Sequence, residues 1–348
     1  MNNTSLRTFV AANSPQGFYP LFSDLLKDKK TYIIKGGPGT GKSSLMKKIA
    51  ANAYKSGYFT EYIYCSSDPD SLDAVYIPEI NTVVCDGTAP HTVDPVYAGS
   101  EGGIINLGQC WDEKKLIEAK KEIRGFSANI KTTYDRAYRY LIAASSAYTD
   151  IKKIASGYIN KEKLNKFIKN FISVIPEKNG KIMPNKRFLS SFSPFGYITF
   201  KDSIYSAEKV FVINDKYGLA YMITEKCEEA AQAYERYIFY NPLCPTEISH
   251  ILIPELDTAI VTENLFTGFE PQNTNRINFS RFINDDISLK KNKLLFARKI
   301  VRMCSDEALN CIKYAKQLHD DLEDIYISSM NFDLVNKIAE EYVLKIFS

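Results

Sequence analysis

A short stretch near the start of the chain combines glycines, hydroxyls and one lysine in a spacing that suits phosphate chemistry. It consists of Gly36, Gly37, Pro38, Gly39, Thr40, Gly41, Lys42, Ser43 and Ser44. Glycines let a backbone curl so that successive N–H groups point at phosphate oxygens. The stretch matches the pattern G-x-x-x-x-G-K-[ST] of a phosphate-binding P-loop. We therefore expect it to bind a nucleotide, with Lys42 as a catalytic cation at the β- and γ-phosphates and Ser43 as a ligand to Mg²⁺.

A strand before this loop and a helix after it are the elements that would hold it in place. Residues 31–35 form a β-branched and aromatic run that is typical of a buried strand. Residues 42 to about 55 predict a helix with one apolar face, made of Leu45, Met46, Ile49, Ala50 and Ala53. The N-terminus of such a helix adds partial positive charge beside the loop. The alternative, a glycine-rich turn before an ordinary helix, does not explain this order of elements.

An enzyme of this kind usually needs an acidic residue at the end of a nearby strand to hold Mg²⁺. Asp86 directly follows the mostly apolar residues 82–85, so we expect it to serve as metal ligand and catalytic residue. Asp68, which follows a predicted strand at residues 61–65, is the alternative. Asp70 and Asp73 are interpreted as loop and helix-cap residues.

Other charged residues near the loop are open to two interpretations. Gly87 follows Asp86 where many hydrolytic ATPases have a glutamate, which leaves a phosphotransferase or a slow switch open. Glu79 could act as a base, but Glu255 occupies the matching place in the second half of the chain and favours a structural role. His91 could contact substrate or lie on the surface. Arg124 could neutralise phosphate charge, although a solvated helix charge is favoured.

Composition limits the class of protein. The chain has 348 residues, which suggests two domains, and is 45% hydrophobic and 24% charged. A net charge of +3 gives no argument for nucleic acid or a membrane surface. The longest apolar runs are too short for a membrane span. The seven cysteines form no C-x-x-C pair and the three histidines are scattered, so we expect reduced thiols in the cytoplasm and no zinc site.

The chain falls into two parts of similar length. Residues 113–175 have a helical pattern, with breaks predicted near Gly125, Gly157 and Pro176. An apolar stripe within it, from Tyr134 to Ile154, suggests packing between the helices of a hairpin. A polar linker at residues 177–180 is the best boundary. We therefore expect a first domain at residues 1–183 and a second at residues 184–348, referred to below as the first and second halves.

The second half repeats the first in order. The patterns of residues 14–18 and 30–34 recur 179 positions later in the chain. The pattern of residues 77–82 recurs 176 positions later, and that of a helical segment recurs 171 positions later. A slowly drifting offset is the pattern expected from internal duplication followed by small deletions. In the aligned second copy Gly36, Gly41, Lys42, Ser43 and Asp86 are replaced by Asp215, Ala220, Tyr221, Met222 and Thr262. We therefore expect one nucleotide per chain, because Asp215 would repel phosphate, and a scaffold or regulatory role for the second half.

Several of these segments together resemble a known group of proteins. The segments are residues 36–47, 70–75, 86–91, 104–108 and 111–113. They look like the P-loop NTPase superfamily and, within it, like poorly characterised Firmicutes ATPase-like proteins that carry two tandem P-loop halves and are labelled ATPases or nucleotide kinases. The resemblance implies a fold and a nucleotide, and it names no substrate. In that group the second half also tends to carry a P-loop, and this chain departs from the pattern.

Together these observations predict an α/β protein with two tandem P-loop NTPase-type domains. Each domain would have a mainly parallel sheet flanked by helices, followed by a helical hairpin. The first would bind ATP with Mg²⁺ and hydrolyse it or transfer its γ-phosphate to an unidentified acceptor. GTP is disfavoured because no Asn/Thr-Lys-x-Asp pattern is well placed. The alternative is a nucleotide-gated module with little turnover that acts on a protein partner.

Overall fold

The computed structural model describes residues 5–89, 92–95, 99–270 and 274–348. The first half runs through β1 (Ser5–Phe9), β2 (Ala11–Ser14), β3 (Gly17–Pro20), α1 (Phe22–Leu26), β4 (Lys30–Lys35), α2 (Lys42–Lys55), β5 (Thr60–Tyr64), β6 (Leu72–Ile77), β7 (Thr82–Asp86), β8 (Gly102–Asn106), α3 (Glu113–Glu118), α4 (Lys120–Ser156) and α5 (Lys161–Phe171). The second half runs through β9 (Asn185–Arg187), β10 (Ser190–Ser193), β11 (Gly196–Thr199), α6 (Asp202–Tyr205), β12 (Lys209–Asn214), α7 (Tyr221–Ala230), β13 (Tyr237–Asn241), β14 (Cys244–Ile253), β15 (Thr258–Glu263), β16 (Thr274–Asn278), α8 (Lys291–Ile327) and α9 (Phe332–Phe347).

The first half is built on a six-stranded sheet in the order β1-β5-β6-β7-β4-β8. Strand β1 is parallel to β5, and β4 lies parallel between β7 and β8. Strand β6 runs antiparallel to both of its neighbours. Because β4 and β7 are parallel neighbours, their carboxyl ends meet at one edge of the sheet, where Ile34 pairs with Asp86.

The second half has a sheet with the same plan. Its order is β9-β13-β14-β15-β12-β16, and each strand has the place and direction of its counterpart in the first sheet. Ile213 pairs with Thr262, as Ile34 pairs with Asp86. The predicted α/β fold, with two tandem domains of mainly parallel sheets flanked by helices, is confirmed.

The two sheets face each other across a shared apolar layer, which we call the central core. Successive side chains of a strand point to opposite faces of its sheet. On β4, Ile33 therefore faces the central core, whereas Tyr32 and Ile34 face α2 and α9 on the outside. From the second sheet, Val212 and Val261 enter the same central core.

The short helices α5 and α9 are exchanged between the halves. Val335, Ile338 and Ala339 of α9 pack on the outer face of the first sheet, beside α2. Leu164 and Phe171 of α5 pack on the outer face of the second sheet, beside α7. Each half therefore supplies a helix that the core of the other half needs.

The long helices α4 and α8 pack against each other, and each is 37 residues long. Arg136 and Glu307 occupy matching positions, 171 residues apart, and their side chains meet at 3.3 Å. This contact marks an approximate two-fold relation between the halves. The stripe around Leu141 and Tyr148 packs against α8 and not within one hairpin, so that expectation was wrong. The predicted break at Gly125 was also wrong, because α4 runs through it.

The halves also meet at the ends of β1 and β9. The backbones of Phe9 and Phe188 exchange two hydrogen bonds, of 2.9 and 2.8 Å. Beside them Arg187 donates bonds of 2.6 and 2.9 Å to Glu61, and both side chains are fully buried. Removing one partner of such a pair leaves an uncompensated buried charge. The pair therefore fixes how β5 of one sheet meets β9 of the other.

All seven cysteines are free thiols. Across the described ranges, no helix is long and apolar enough to cross a membrane.

His250 is a buried neutral group in the second sheet. Its Nδ1 atom accepts a hydrogen bond of 3.1 Å from the backbone N–H of Thr262, and the side chain lies beside Phe269. Burial lowers its pKa from 6.5 to about 3. Between these values the unfolded chain binds a proton that the folded chain does not, so stability must fall as the pH falls.

We expect this histidine to contribute to acid sensitivity. The wild-type free energy of unfolding should fall, relative to that of His250→Gln, by up to about 1.4 kcal/mol per pH unit below pH 6.5. Glutamine keeps a hydrogen-bond acceptor but does not titrate. Urea unfolding of both proteins at about pH 7 and pH 5 measures the difference. Parallel losses in the two proteins would show that His250 is not responsible.

Candidate functional site

The glycine loop, residues 36–43, joins the end of β4 to the start of α2. Gly39 and Gly41 have φ angles of 65° and 88°, a region that favours glycine. Those two positions turn the chain sharply enough to begin α2 directly at Lys42. Gly41 provides the N-cap of α2 without a side-chain hydrogen bond. The strand, loop and helix predicted from the sequence are therefore present in that order.

Lys42 lies over the loop and close to an acidic residue. Its ammonium donates hydrogen bonds of 3.1 and 2.6 Å to the carbonyls of Gly36 and Gly37. The same nitrogen lies 3.6 Å from Oδ2 of Asp86, and the two side chains are only 12% and 15% exposed. The structure thus brings the predicted catalytic pair together. A largely dry site strengthens electrostatic interactions with any charge that enters it.

Asp86 is held at the sheet edge by its own loop. Its Oδ1 atom accepts bonds of 2.8 and 2.5 Å from the backbone N–H and the hydroxyl of Thr88. Its Oδ2 atom is left on the side of Lys42. Lys35 fastens the rest of this loop by binding the carbonyls of Gly87 and Val93 at 2.9 and 2.8 Å. His91 falls in this loop but lies outside the described residues.

The hydroxyl residues of the loop take different positions. Ser43 Oγ accepts a bond of 3.0 Å from the backbone N–H of Leu72, which ties the loop to β6. The buried Thr40 donates a bond of 2.9 Å to the carbonyl of Gly37 and so stabilises the curl. Ser44 is exposed on α2, while Pro38 is half-buried. Ser43, the predicted metal ligand, lies in the first turn of α2.

The other acidic residues are engaged elsewhere. Asp68 accepts a bond of 2.8 Å from Ser71 and lies 3.7 Å from Nζ of Lys316 in α8. Asp70 is exposed. Asp73 lies buried within β6, so its interpretation as a helix cap was wrong.

Two further candidates take structural or surface positions. Glu79 accepts a bond of 2.7 Å from the backbone N–H of Phe59. Glu255 makes the matching bond, of 3.1 Å, with Glu235 in the second half. Because the same contact occurs in both halves, it favours a structural role for Glu79. Arg124 is exposed on α4.

The second half forms part of the wall of this site. A Cβ atom added at Gly37 would lie 2.7 Å from Cε1 of Tyr326 in α8. One added at Gly39 would lie 2.7 Å from Cγ1 of Ile327 and 3.0 Å from the backbone carbonyl of Glu323. The end of α8 therefore rests directly on the glycine loop. Sequence reasoning missed this contact, because no motif marks residues 323–327.

Helix α9, which follows α8, also contacts the first half. The backbone N–H of Asn331, just before α9, donates a bond of 2.8 Å to the carbonyl of Cys110. Lys48 of α2 binds Asn336 of α9 at 2.8 Å. The helix that carries the glycine loop is thus attached to the last helix of the chain.

Comparison with protein families gives a match to the family described as novel STAND NTPase 3, over residues 15–86. The matched segment includes the glycine loop, α2 and Asp86. It supports an NTPase-type family and a nucleoside triphosphate as the ligand. Searches of curated proteins and of solved structures gave no significant match.

We expect the contact between Gly39 and α8 to make stability sensitive to a side chain at position 39. Gly39→Ala should lose about 1–3 kcal/mol of stability, since alanine is strained at this φ and its Cβ would meet Ile327. Gly57→Ala is the matched control, because Gly57 has a φ of 75° with nothing near its Cβ position. Urea unfolding of both variants gives the comparison.

The steric part of this loss should depend on α8. Combining Gly39→Ala with Ile327→Ala should therefore cost less than the sum of the two single changes. Equal losses in Gly39→Ala and Gly57→Ala, with additive double variants, would contradict the contact.

Proposed function

We propose that the first half binds ATP with Mg²⁺ in the glycine loop and cleaves or transfers the γ-phosphate. The observation that carries this proposal is the position of Lys42, whose ammonium lies over the loop carbonyls and beside Asp86. The ammonium and the N-terminus of α2 lie together there, and a glycine loop lets backbone N–H groups point at phosphate oxygens, as a triphosphate requires. The family match over residues 15–86 supports the same ligand class.

Each residue of the site has a proposed role. Lys42 would offset the negative charge that develops on the transferred phosphoryl group. Ser43 and Asp86 offer a hydroxyl and a carboxylate oxygen, which are the ligands that Mg²⁺ prefers. A bound Mg²⁺ would supply further charge neutralisation at the phosphates. Thr88 would position Asp86 through its two hydrogen bonds.

A second function also has a specific observation in its favour. The end of α8 rests on the glycine loop, so a change of loop shape on nucleotide binding would displace residues of the second half. Gly87 follows Asp86 where a water-activating glutamate would be expected in a fast hydrolase. A nucleotide-gated module with little turnover would use the same site to alter a surface that a protein partner recognises. Turnover measurements separate the two functions.

Binding is tested first. Calorimetric titration with a non-hydrolysable ATP analogue and Mg²⁺ should give about one nucleotide per chain, because the second half has Tyr221 and Met222 in place of Lys42 and Ser43. Lys42→Ala should weaken binding by about ten- to a hundredfold, because a hydrogen bond to a charged group is worth roughly 1.5–3 kcal/mol. Tyr221→Ala, at the aligned position of the second half, is the control and should leave binding intact. Binding that survives Lys42→Ala and fails in Tyr221→Ala would place the nucleotide in the second half and contradict the proposal.

Turnover is tested next, with Asp86 against Asp68. Asp86→Asn should lower Mg²⁺-dependent phosphate release or transfer at least tenfold, a barrier increase of about 1.4 kcal/mol. Asp68→Asn should have less effect, because the carboxylate of Asp68 contacts Lys316 and Ser71, whereas that of Asp86 lies beside Lys42. The reverse ranking would move the metal ligand to Asp68. Tight binding without multiple turnovers in the wild type would favour the gated module.

We further propose that the halves, residues 1–183 and 184–348, descend from one duplicated unit. The common strand order and matching long helices support this proposal. The exchange of α5 and α9 means that the two halves are expected to fold together.

A further inference from the structure

The loop between β12 and α7 occupies the place of the glycine loop in the second half. Asp215 begins it and is aligned with Gly36. The Asp215 side chain turns back into the loop, where Oδ1 accepts two bonds of 2.9 Å from the backbone N–H groups of Tyr217 and Gly218. Its Oδ2 accepts a bond of 2.6 Å from the N–H of Ala220, and the residue is 5% exposed.

This is the geometry of an anion site. Backbone N–H groups that converge in a turn before a helix bind phosphates and carboxylates alike. The backbone matches the first half at one glycine, since Gly218 has a φ of 77° and its counterpart Gly39 has one of 65°. It differs at the start of the helix, where Ala220 has a φ of −59° and its counterpart Gly41 has one of 88°. The N–H groups that would face a phosphate in an active loop here face the chain's own carboxylate.

We infer that Asp215 is an internal anion that occupies the phosphate cradle of the second half. The sequence suggested that Asp215 would repel phosphate, and the structure gives a more specific mechanism. The carboxylate makes the hydrogen bonds that a phosphate would make, so the cradle is filled whenever the second half is folded. The loss of Lys42 and Ser43 counterparts, replaced by Tyr221 and Met222, fits a cradle that needs no external ligand.

The filled cradle is also a contact surface for the first half. A Cβ atom added at Gly218 would lie 2.6 Å from Oη of Tyr148 and 2.9 Å from Cγ of Lys152, both in α4. Helix α4 therefore rests on this loop as α8 rests on the glycine loop. Asp215 fixes the shape of the loop under α4 independently of any nucleotide in the first half.

The test removes the internal anion and supplies it from solution. Asp215→Gly deletes the CH₂–COO⁻ group and leaves a space that matches acetate, and glycine is the aligned residue in the first half. The variant is made in a Lys42→Ala background, so that anion binding at the glycine loop is weakened and a failure of the proposed function does not affect the result. Acetate, formate and inorganic phosphate are titrated at about pH 8 and constant ionic strength, with chloride as the control salt. The readout is the midpoint of thermal unfolding.

Asp215→Gly should unfold at a lower temperature than its parent, and acetate or formate should raise the midpoint in a saturable way. At about five times the dissociation constant of the anion, the rise should be about 2 °C beyond that in chloride. The parent, with its carboxylate in place, should respond to acetate no more than to chloride. The proposal would be overturned if the folded Asp215→Gly variant had the same thermal unfolding midpoint as the Lys42→Ala parent. It would also be overturned if acetate and formate raised the midpoint of the variant no more than chloride does.

A second variant keeps the proposal testable if Asp215→Gly does not fold. Asp215→Asn has the same shape but replaces one acceptor oxygen with an NH₂ group, which cannot accept from a backbone N–H. Hydrogen exchange should then be at least tenfold faster at the amides that face the NH₂ group, either that of Ala220 or those of Tyr217 and Gly218, because the remaining oxygen still accepts from the others. Ala231 serves as the internal reference, because its amide bonds to carbonyls of α7 away from the loop. Unchanged protection of the three loop amides would show that the carboxylate is not their essential partner.

Discussion

The exchange of α5 and α9 is the constraint on which the rest of this structure depends. Each sheet has an outer apolar face that its own crossover helix, α2 or α7, covers only in part. The remaining area is covered by a helix from the other half, so burial of apolar surface in one half requires the other to be folded. The central core and the buried pair of Glu61 and Arg187 add to this dependence.

The same exchange decides where the candidate site lies. A glycine loop in an isolated half would be bordered by its own sheet and helix. Here the end of α8 rests on the loop, and α9 is attached to α2 through Lys48 and Asn336. Helix α8 in turn packs against α4, so the glycine loop, α8 and α4 form one continuous set of contacts.

The two halves differ in what lies beside the backbone N–H groups at the start of α2 and of α7. Converging backbone N–H groups at a helix N-terminus need a negative partner. The first half places Lys42 and Asp86 beside its loop and leaves α2 without a side-chain cap. The second half supplies Asp215 as its own partner. One fold thus has a loop suited to an external anion and another in which a carboxylate of the chain serves that purpose. At the matching positions 136 and 307, the different residues Arg136 and Glu307 likewise allow opposite charges to meet.

Local pattern in the sequence determined the strand, loop and helix around Lys42, the strand that ends at Asp86, and the repetition of these segments in the second half. These follow from backbone geometry, apolar periodicity and residue type, which act over a few neighbouring residues. The tertiary structure alone decided that α5 and α9 change places, that Tyr326 and Ile327 border the glycine loop, and that Asp215 turns inward to bind N–H groups. Each of these depends on which apolar faces and polar groups meet across long separations in the chain, and an amphipathic helix has the same sequence pattern whichever half it covers.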